Sequence, residues 1–214
     1  MAELEAQWPK DDSVPLDHVV FACGSGGTAA GIAVGLCLCE SLSPIVHAVG
    51  VCDDPDYFYS YVAGIADDMG LLTTAPTTND GNVMDGNDDA STTTTEDFVR
   101  ECMTVHQGKG LGYASSTPEE LDFVTRFAVE TGITLDPVYS GKALYHFVEH
   151  VLPSNPEAFR GKNVLFWHTG GALGMYDKGD DLPLSVVSKV KRLDVYGNKG
   201  TEGVDPSRIV DISE

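Results

Sequence analysis

The chain has 214 residues, is 42% hydrophobic and carries a formal net charge of −20. That length buries a real core, as one large domain or two small ones, and such acidity argues against partners made of nucleic acid or anionic membrane. No apolar run approaches the eighteen or so residues a membrane span needs, and Met1 to Pro15 has neither an apolar stretch nor the basic character of a targeting segment.

The five cysteines, Cys23, Cys37, Cys39, Cys52 and Cys102, form no CxxC pair and no zinc spacing. They predict reduced, buried thiols in a reducing intracellular compartment, most simply the cytoplasm, and no metal site.

In chain order, residues 18–22 (HVVFA) read as an apolar strand. Cys23-Gly24-Ser25-Gly26-Gly27-Thr28-Ala29-Ala30-Gly31 follows, and a helix is predicted over 28–39. Strand, glycine-rich turn and helix start, in that order, make an anion site. Unpaired N–H groups converge there under the positive end of the helix dipole. The glycines let backbone approach a phosphate, and Thr28 adds a hydroxyl. A turn that binds nothing is the plain alternative. Four glycines in eight residues are more than a turn needs.

A strand over 45–52 and a helix over 56–69 come next. Residues 73–97 break the pattern with eight threonines, six acids and no base. They read as a disordered insertion, because so little apolar surface cannot offset the entropy of ordering. A strand is expected over 102–106. Lys109-Gly110-Leu111-Gly112-Tyr113-Ala114 then presents a tyrosine from a glycine-flanked loop. The helix over 118–130 opens with Thr117 as N-cap, Pro118 in the first turn and Glu120 at the third position, and Gly132 closes it.

Residues 133–135 read as a short strand leading into Asp136-Pro137-Val138-Tyr139-Ser140-Gly141-Lys142 and a helix over 142–152. A last strand over 163–168 ends in His168-Thr169-Gly170-Gly171. Ligands of parallel α/β sheets gather outside the carboxyl ends of strands, which places Tyr139, Ser140 and Thr169 at a site. His168 alone reads as a packed or hydrogen-bonded side chain. After Asp177 the pattern is loose, with Val186, Val187 and Val190 able to dock. The alternation predicts an α/β fold, a three-layer parallel sheet with helices on both faces.

Taken together, GSGGTxAG, GxGY, DPVYSGKA and HTGG resemble the D-cysteine desulfhydrase / 1-aminocyclopropane-1-carboxylate deaminase family over about 19–174. The resemblance implies a tryptophan synthase β-like fold that needs pyridoxal 5′-phosphate, present here as a C-terminal half over 1–176 with a tail over 177–214. It implies that the backbone of Gly24, Ser25, Gly26, Gly27 and Thr28 holds the cofactor phosphate and that Tyr139 stacks on the pyridine ring. Tyr113 would sit over the substrate side, as the second catalytic residue beside Tyr139. Ser140 or Thr169 would hydrogen-bond near the pyridine nitrogen, where a neutral hydroxyl moderates the electron sink and favours elimination.

Ser140 and Thr169 stand where the deaminase branch looks like Glu and Leu, which points to D-cysteine as substrate, converted to pyruvate, sulfide and ammonia. A deaminase of 1-aminocyclopropane-1-carboxylate is the alternative within the family, and a homodimer is implied for the complete enzyme. The family also has a cofactor-linked lysine in a motif like GGNKxRKLE, and a further motif like SNHxR. Neither appears in this chain. The chain alone is therefore expected to be inactive, or nearly so, on D-cysteine. Two readings compete. Gly24 to Ala29 also fits GxGxxA with Asp53 or Asp54 after the next strand, as in an NAD(P)-binding domain. A non-catalytic fragment using its acidic insertion for binding is the other.

Overall fold

The computed structural model describes residues 1–9, 14–70, 94–178, 181–183 and 188. Among the described residues, four strands form one all-parallel sheet in the order β3-β2-β1-β4. They are β1 (His18–Cys23), β2 (Ile45–Gly50), β3 (Thr104–Gln107) and β4 (Val164–Trp167). The register pairs Phe21 with Ala48 on one side and with Trp167 on the other.

The helices are α1 (Ala2–Gln7), α2 (27–37), α3 (Pro55–Asp68), α4 (Thr95–Cys102), α5 (Pro118–Thr131), α6 (140–154), α7 (Pro156–Phe159) and α8 (Gly174–Asp177). Both α2 and α6 contain a π-helical turn, Ala30–Val34 and Phe147–Val151 respectively.

Right-handed crossovers that move in opposite directions across a sheet leave their helices on opposite faces. The chain does this. From β1 through β2 to β3 it moves one way, and α2, α3 and α4 cover the face of Val19, Phe21 and Cys23. From β3 it returns past β1 to β4, and α6 covers the face of Val20, Ala22, Val49 and Val51. Phe123 and Val124 of α5 then pack on Leu144 of α6. Fully enclosing a side chain such as Phe21 or Phe58 contributes about 1.5–3 kcal/mol each.

Local signals explain the helix ends. Thr117 and Glu120 form a reciprocal capping box, and Gly132 closes α5 in the left-handed region. The face of α5 is broader than its aliphatic stripe suggests, because Phe123 is buried beside Leu121, Val124 and Thr125.

Several boundaries depart from the sequence expectation. Cys102 ends α4, so β3 begins only at Thr104. The apolar run 102–106 is part helix and part strand because Thr94 caps a new helix with Asp97. The predicted insertion therefore stops short of Thr94, and its residues 73–93 lie outside the described residues, as do 186, 187 and 190. Residues 133–135 form no strand; the Thr134 carbonyl accepts from the His168 imidazole instead of joining a ladder. Cys39 lies beyond α2. Of the thiols only Cys23 and Cys102 are buried, and Cys37 is exposed; no disulfide links any of the five.

Three imidazoles cross the sheet beneath α6 and α7. His18 Nδ1 lies 3.0 Å from His47 Nε2, and His47 Nδ1 lies 2.9 Å from His106 Nε2. His18 Nε2 lies 3.2 Å from the Ala158 carbonyl, which can only accept. With neutral rings that fixes every proton: each Nε2–H donates toward Ala158. Burial, then His106 and His18, lowers the His47 pKa to about 4, and burial with His150 and His106 does the same at His146. The charged form is disfavoured in the fold. The stability this contributes is complete above about pH 6.5 and is lost as pH falls toward 4. Imidazole resonances of both residues should titrate near pH 4; a midpoint near 6.5 at His47 would contradict the buried relay, and one at His146 would contradict its burial.

Candidate active site

The strand order reverses beside β1: β2 continues on one side, and β4 arrives on the other. Such a switch point opens a crevice at the carboxyl ends of the two strands. The glycine-rich turn leaves β1 there, and His168-Thr169-Gly170 leaves β4.

The turn is built for close approach. Gly26 takes φ +86° as the N-cap of α2 and its carbonyl accepts from Ala30 N at 2.9 Å. A Cβ on Gly26 would stand 2.7 Å from the Tyr61 ring, and one on Gly24 would stand 2.7 Å from Cε1 of Tyr139. A Cβ on Gly27 would meet nothing within 4 Å, and Ser25, Gly27 and Thr28 are exposed. The first amides of α2 have no partner inside the helix, and they lie at this open surface. A phosphate fits this combination of helix-start amides, dipole and room.

Tyr139 lies on the opposite wall as the N-cap of α6. Its hydroxyl is 2.6 Å from that of Tyr113, with the rings nearly perpendicular at 66°. The Tyr113 contact, then burial, pushes the Tyr139 phenol up to about 12, so it stays protonated through the neutral range. Cys52 donates its thiol to the Gly24 carbonyl at 3.0 Å, and burial raises its pKa.

Buried Asp136 organises the start of α6. Its carboxylate accepts from the backbone of Val138, Tyr139 and Ser140 at 2.9, 2.6 and 2.8 Å, and from the Ser140 hydroxyl at 2.6 Å. The same hydroxyl accepts from Asp136 N at 3.1 Å. Ser140 is therefore 1% exposed and turned into the protein, while Thr169 is exposed at the end of β4. His168 is hydrogen-bonded on both nitrogens: Nε2 donates to Thr134 O at 3.0 Å and Nδ1 accepts from Gly170 N at 3.1 Å.

The predicted residues thus gather at one end of the sheet, with Ser140 set behind the wall. Sequence reasoning passed over Asp136, Cys52, Tyr61 and Lys142 as parts of the site. An acid before Pro with Ser four residues on is a legible turn signal for Asp136. Nothing local marks Cys52 or Tyr61, which arrive from the β2–α3 connection and from α3. Asp54 caps α3 through Tyr57 N at 2.9 Å, which accounts for the acid after β2 without a ribose.

The family model described as pyridoxal-phosphate dependent enzyme matches residues 1–170. The chain belongs to the pyridoxal-phosphate dependent enzymes. Within them it is 40% identical over 194 residues to the mitochondrial bifunctional D-cysteine desulfhydrase/1-aminocyclopropane-1-carboxylate deaminase of Arabidopsis thaliana, covering 90% of this chain and 42% of that one. A putative 1-aminocyclopropane-1-carboxylate deaminase of Thermotoga maritima is 32% identical over 75% of this chain and 43% of its own. The crystal structure of an ACC deaminase homologue superposes with a TM-score of 0.56 at 28% identity, covering 86% of this chain and 47% of that chain. The chain spans less than half the length of these pyridoxal-phosphate dependent relatives. Among the described residues, no helix is long and apolar enough to cross a membrane.

Proposed function

We propose that this chain forms the cofactor-binding half of a pyridoxal-phosphate dependent lyase acting on a small amino acid, with D-cysteine the preferred substrate. The observation that carries this is the contact of the Tyr139 ring with Gly24, which sets an aromatic face directly beside the phosphate-sized opening at Gly26, Gly27 and Thr28. Bound there, the cofactor supplies an electron sink for charge developed at the substrate Cα.

The chain's own groups do the rest. Amides of Gly24 to Thr28 hold the phosphate dianion. Tyr139 covers one face of the heterocycle and Tyr113, 56% exposed, faces the substrate side. The Tyr113 hydroxyl, 2.6 Å from its Tyr139 partner, is placed to donate to a departing sulfur. Thr169, free at the end of β4, is the hydroxyl for the pyridine nitrogen. Ser140 supports it from behind by fixing Asp136 and hence Tyr139. A threonine at 169 favours elimination from D-cysteine, while the bifunctional Arabidopsis relative keeps 1-aminocyclopropane-1-carboxylate as the second reading. Three of the lysines are held by partners, Lys142 by Glu120, Lys162 by Asp17 and Lys178 by Ala114.

Titrating pyridoxal 5′-phosphate into the purified chain, followed by tryptophan fluorescence, tests the site. Saturable binding displaced by inorganic phosphate is expected. Gly24→Ala drives a methyl against Tyr139 and should weaken binding at least about tenfold, or about 1.4 kcal/mol. Absence of saturable binding, or tight binding of NAD instead, would overturn the reading.

A further inference from the structure

We propose that Lys142 is a positioning residue, its buried ammonium clamping both ends of the 109–115 loop and so setting the Tyr113 hydroxyl on that of Tyr139. The side chain of Lys142 is fully enclosed, at 0% exposure, and that of Glu120 is 6% exposed. An ammonium has three hydrogens to donate. One goes to the Lys109 carbonyl at 3.0 Å, one to the Ser115 carbonyl at 2.7 Å, and the third to the Glu120 carboxylate at 3.2 Å.

The two carbonyls flank Tyr113 in sequence, one at each end of the loop. Between them the backbone makes two consecutive tight turns, Gly112 N to Lys109 O at 3.0 Å and Ser115 N to Gly112 O at 3.2 Å. Ala114 is held at φ +56°, a left-handed conformation that an alanine adopts only when its surroundings impose it. Gly110 approaches so closely that a Cβ there would stand 2.9 Å from Glu120 Oε1 and 3.1 Å from Lys142 Nζ. Lys178 adds a third tie, donating to Ala114 O at 2.8 Å.

An ion pair placed only to fill a core has no need to face two carbonyls of a surface loop. This one does, and it sits on the first turn of the helix whose N-cap is Tyr139. One helix start thereby presents one tyrosine and grips the loop that delivers the other. Glu120 completes the arrangement: its Oε2 accepts from Thr117 N at 2.8 Å, so α5, the loop and α6 share one buried charge pair.

The importance of the clamp for catalysis rests on the cofactor reading above; the clamp itself does not. Lys142→Met alone leaves the Glu120 charge buried without its partner, so the informative variant is Lys142→Met with Glu120→Gln, which removes both charges and keeps the capping geometry. Two signals are read by NMR in the 214-residue chain. One is the ring-to-ring contact of Tyr113 and Tyr139; the other is the Tyr139 titration. The double variant should lose the ring contact, and its Tyr139 midpoint should fall from about 12 toward the usual 10, as it also should in Tyr113→Phe. Adding Tyr113→Phe to the double variant should then change nothing more. A folded double variant that keeps both signals overturns the proposal.

Should the double variant fail to fold, Gly110→Ala pushes the loop away from the ammonium without unpairing a core charge. Loss of the Tyr113–Tyr139 contact there supports the clamp, and its retention overturns it. Cofactor titration of the unaltered chain separates the two ideas. Failure to bind removes the cofactor reading and leaves the tyrosine signals to decide the clamp.

Discussion

Replacing Asp136 with alanine is expected to destabilise the chain by about 4 kcal/mol and to lower its melting temperature by about 10 °C. The carboxylate takes four hydrogen bonds, three from consecutive backbone amides and one from a hydroxyl, in a place only 1% exposed. Without it the buried Ser140 amide and hydroxyl remain unpartnered, each at a cost of about 1–3 kcal/mol before any relaxation, and the half-buried Val138 and Tyr139 amides lose their acceptor. The Tyr139 amide, at 2.6 Å, is among them, so the ring that covers Gly24 should move and cofactor affinity should fall with stability. Asp136→Asn keeps the shape and one carbonyl oxygen, and should cost roughly half as much. Thermal unfolding of both variants checks the ranking. An alanine variant within about 1 kcal/mol of the parent would mean that the turn is held by its packing alone.

Gly141→Ala should be the most disruptive single methyl in the chain's α6. A Cβ there would stand 2.3 Å from Val124 Cγ1 and 2.5 Å from the Asp136 carbonyl oxygen. The valine can rotate, but the carbonyl cannot yield, because it accepts from Gly141 N at 2.7 Å. Either α6 shifts away from α5 or the Asp136 turn opens, and we expect a loss of about 3 kcal/mol. The contrast is Gly64 in α3, where a Cβ meets nothing within 4 Å. Gly64→Ala should stabilise by about 0.8 kcal/mol through helix propensity alone. Denaturant titration of the pair gives opposite signs if the packing argument is right.

Much of the fold was legible because its signals are local. The apolar run at 18–22, the capping box at Thr117 and Glu120, and the closing glycine at Gly132 each act within a few residues. Where two local signals overlapped, the boundary moved. Thr94 and Asp97 form a capping box inside a threonine-rich run that composition alone assigns to disorder, and the helix they start captured Cys102. Ile133 to Leu135 has the composition of a strand but pairs with none of the described strands. Pairing is a property of two chain segments, and periodicity reports only one.

The sequence by itself determined the family and the parallel α/β class, and it named the groups proposed for the cofactor site, because glycine turns and strand-end motifs carry that chemistry in contiguous residues. Only the tertiary structure decided how those groups are held. Ser140 turns away from the site toward Asp136, Tyr139 packs on Gly24, and Lys142 joins a loop 33 residues upstream to its own helix. Direction and distance between segments far apart in sequence depend on how helices pack over the sheet, and no spacing of residue types along the chain records that.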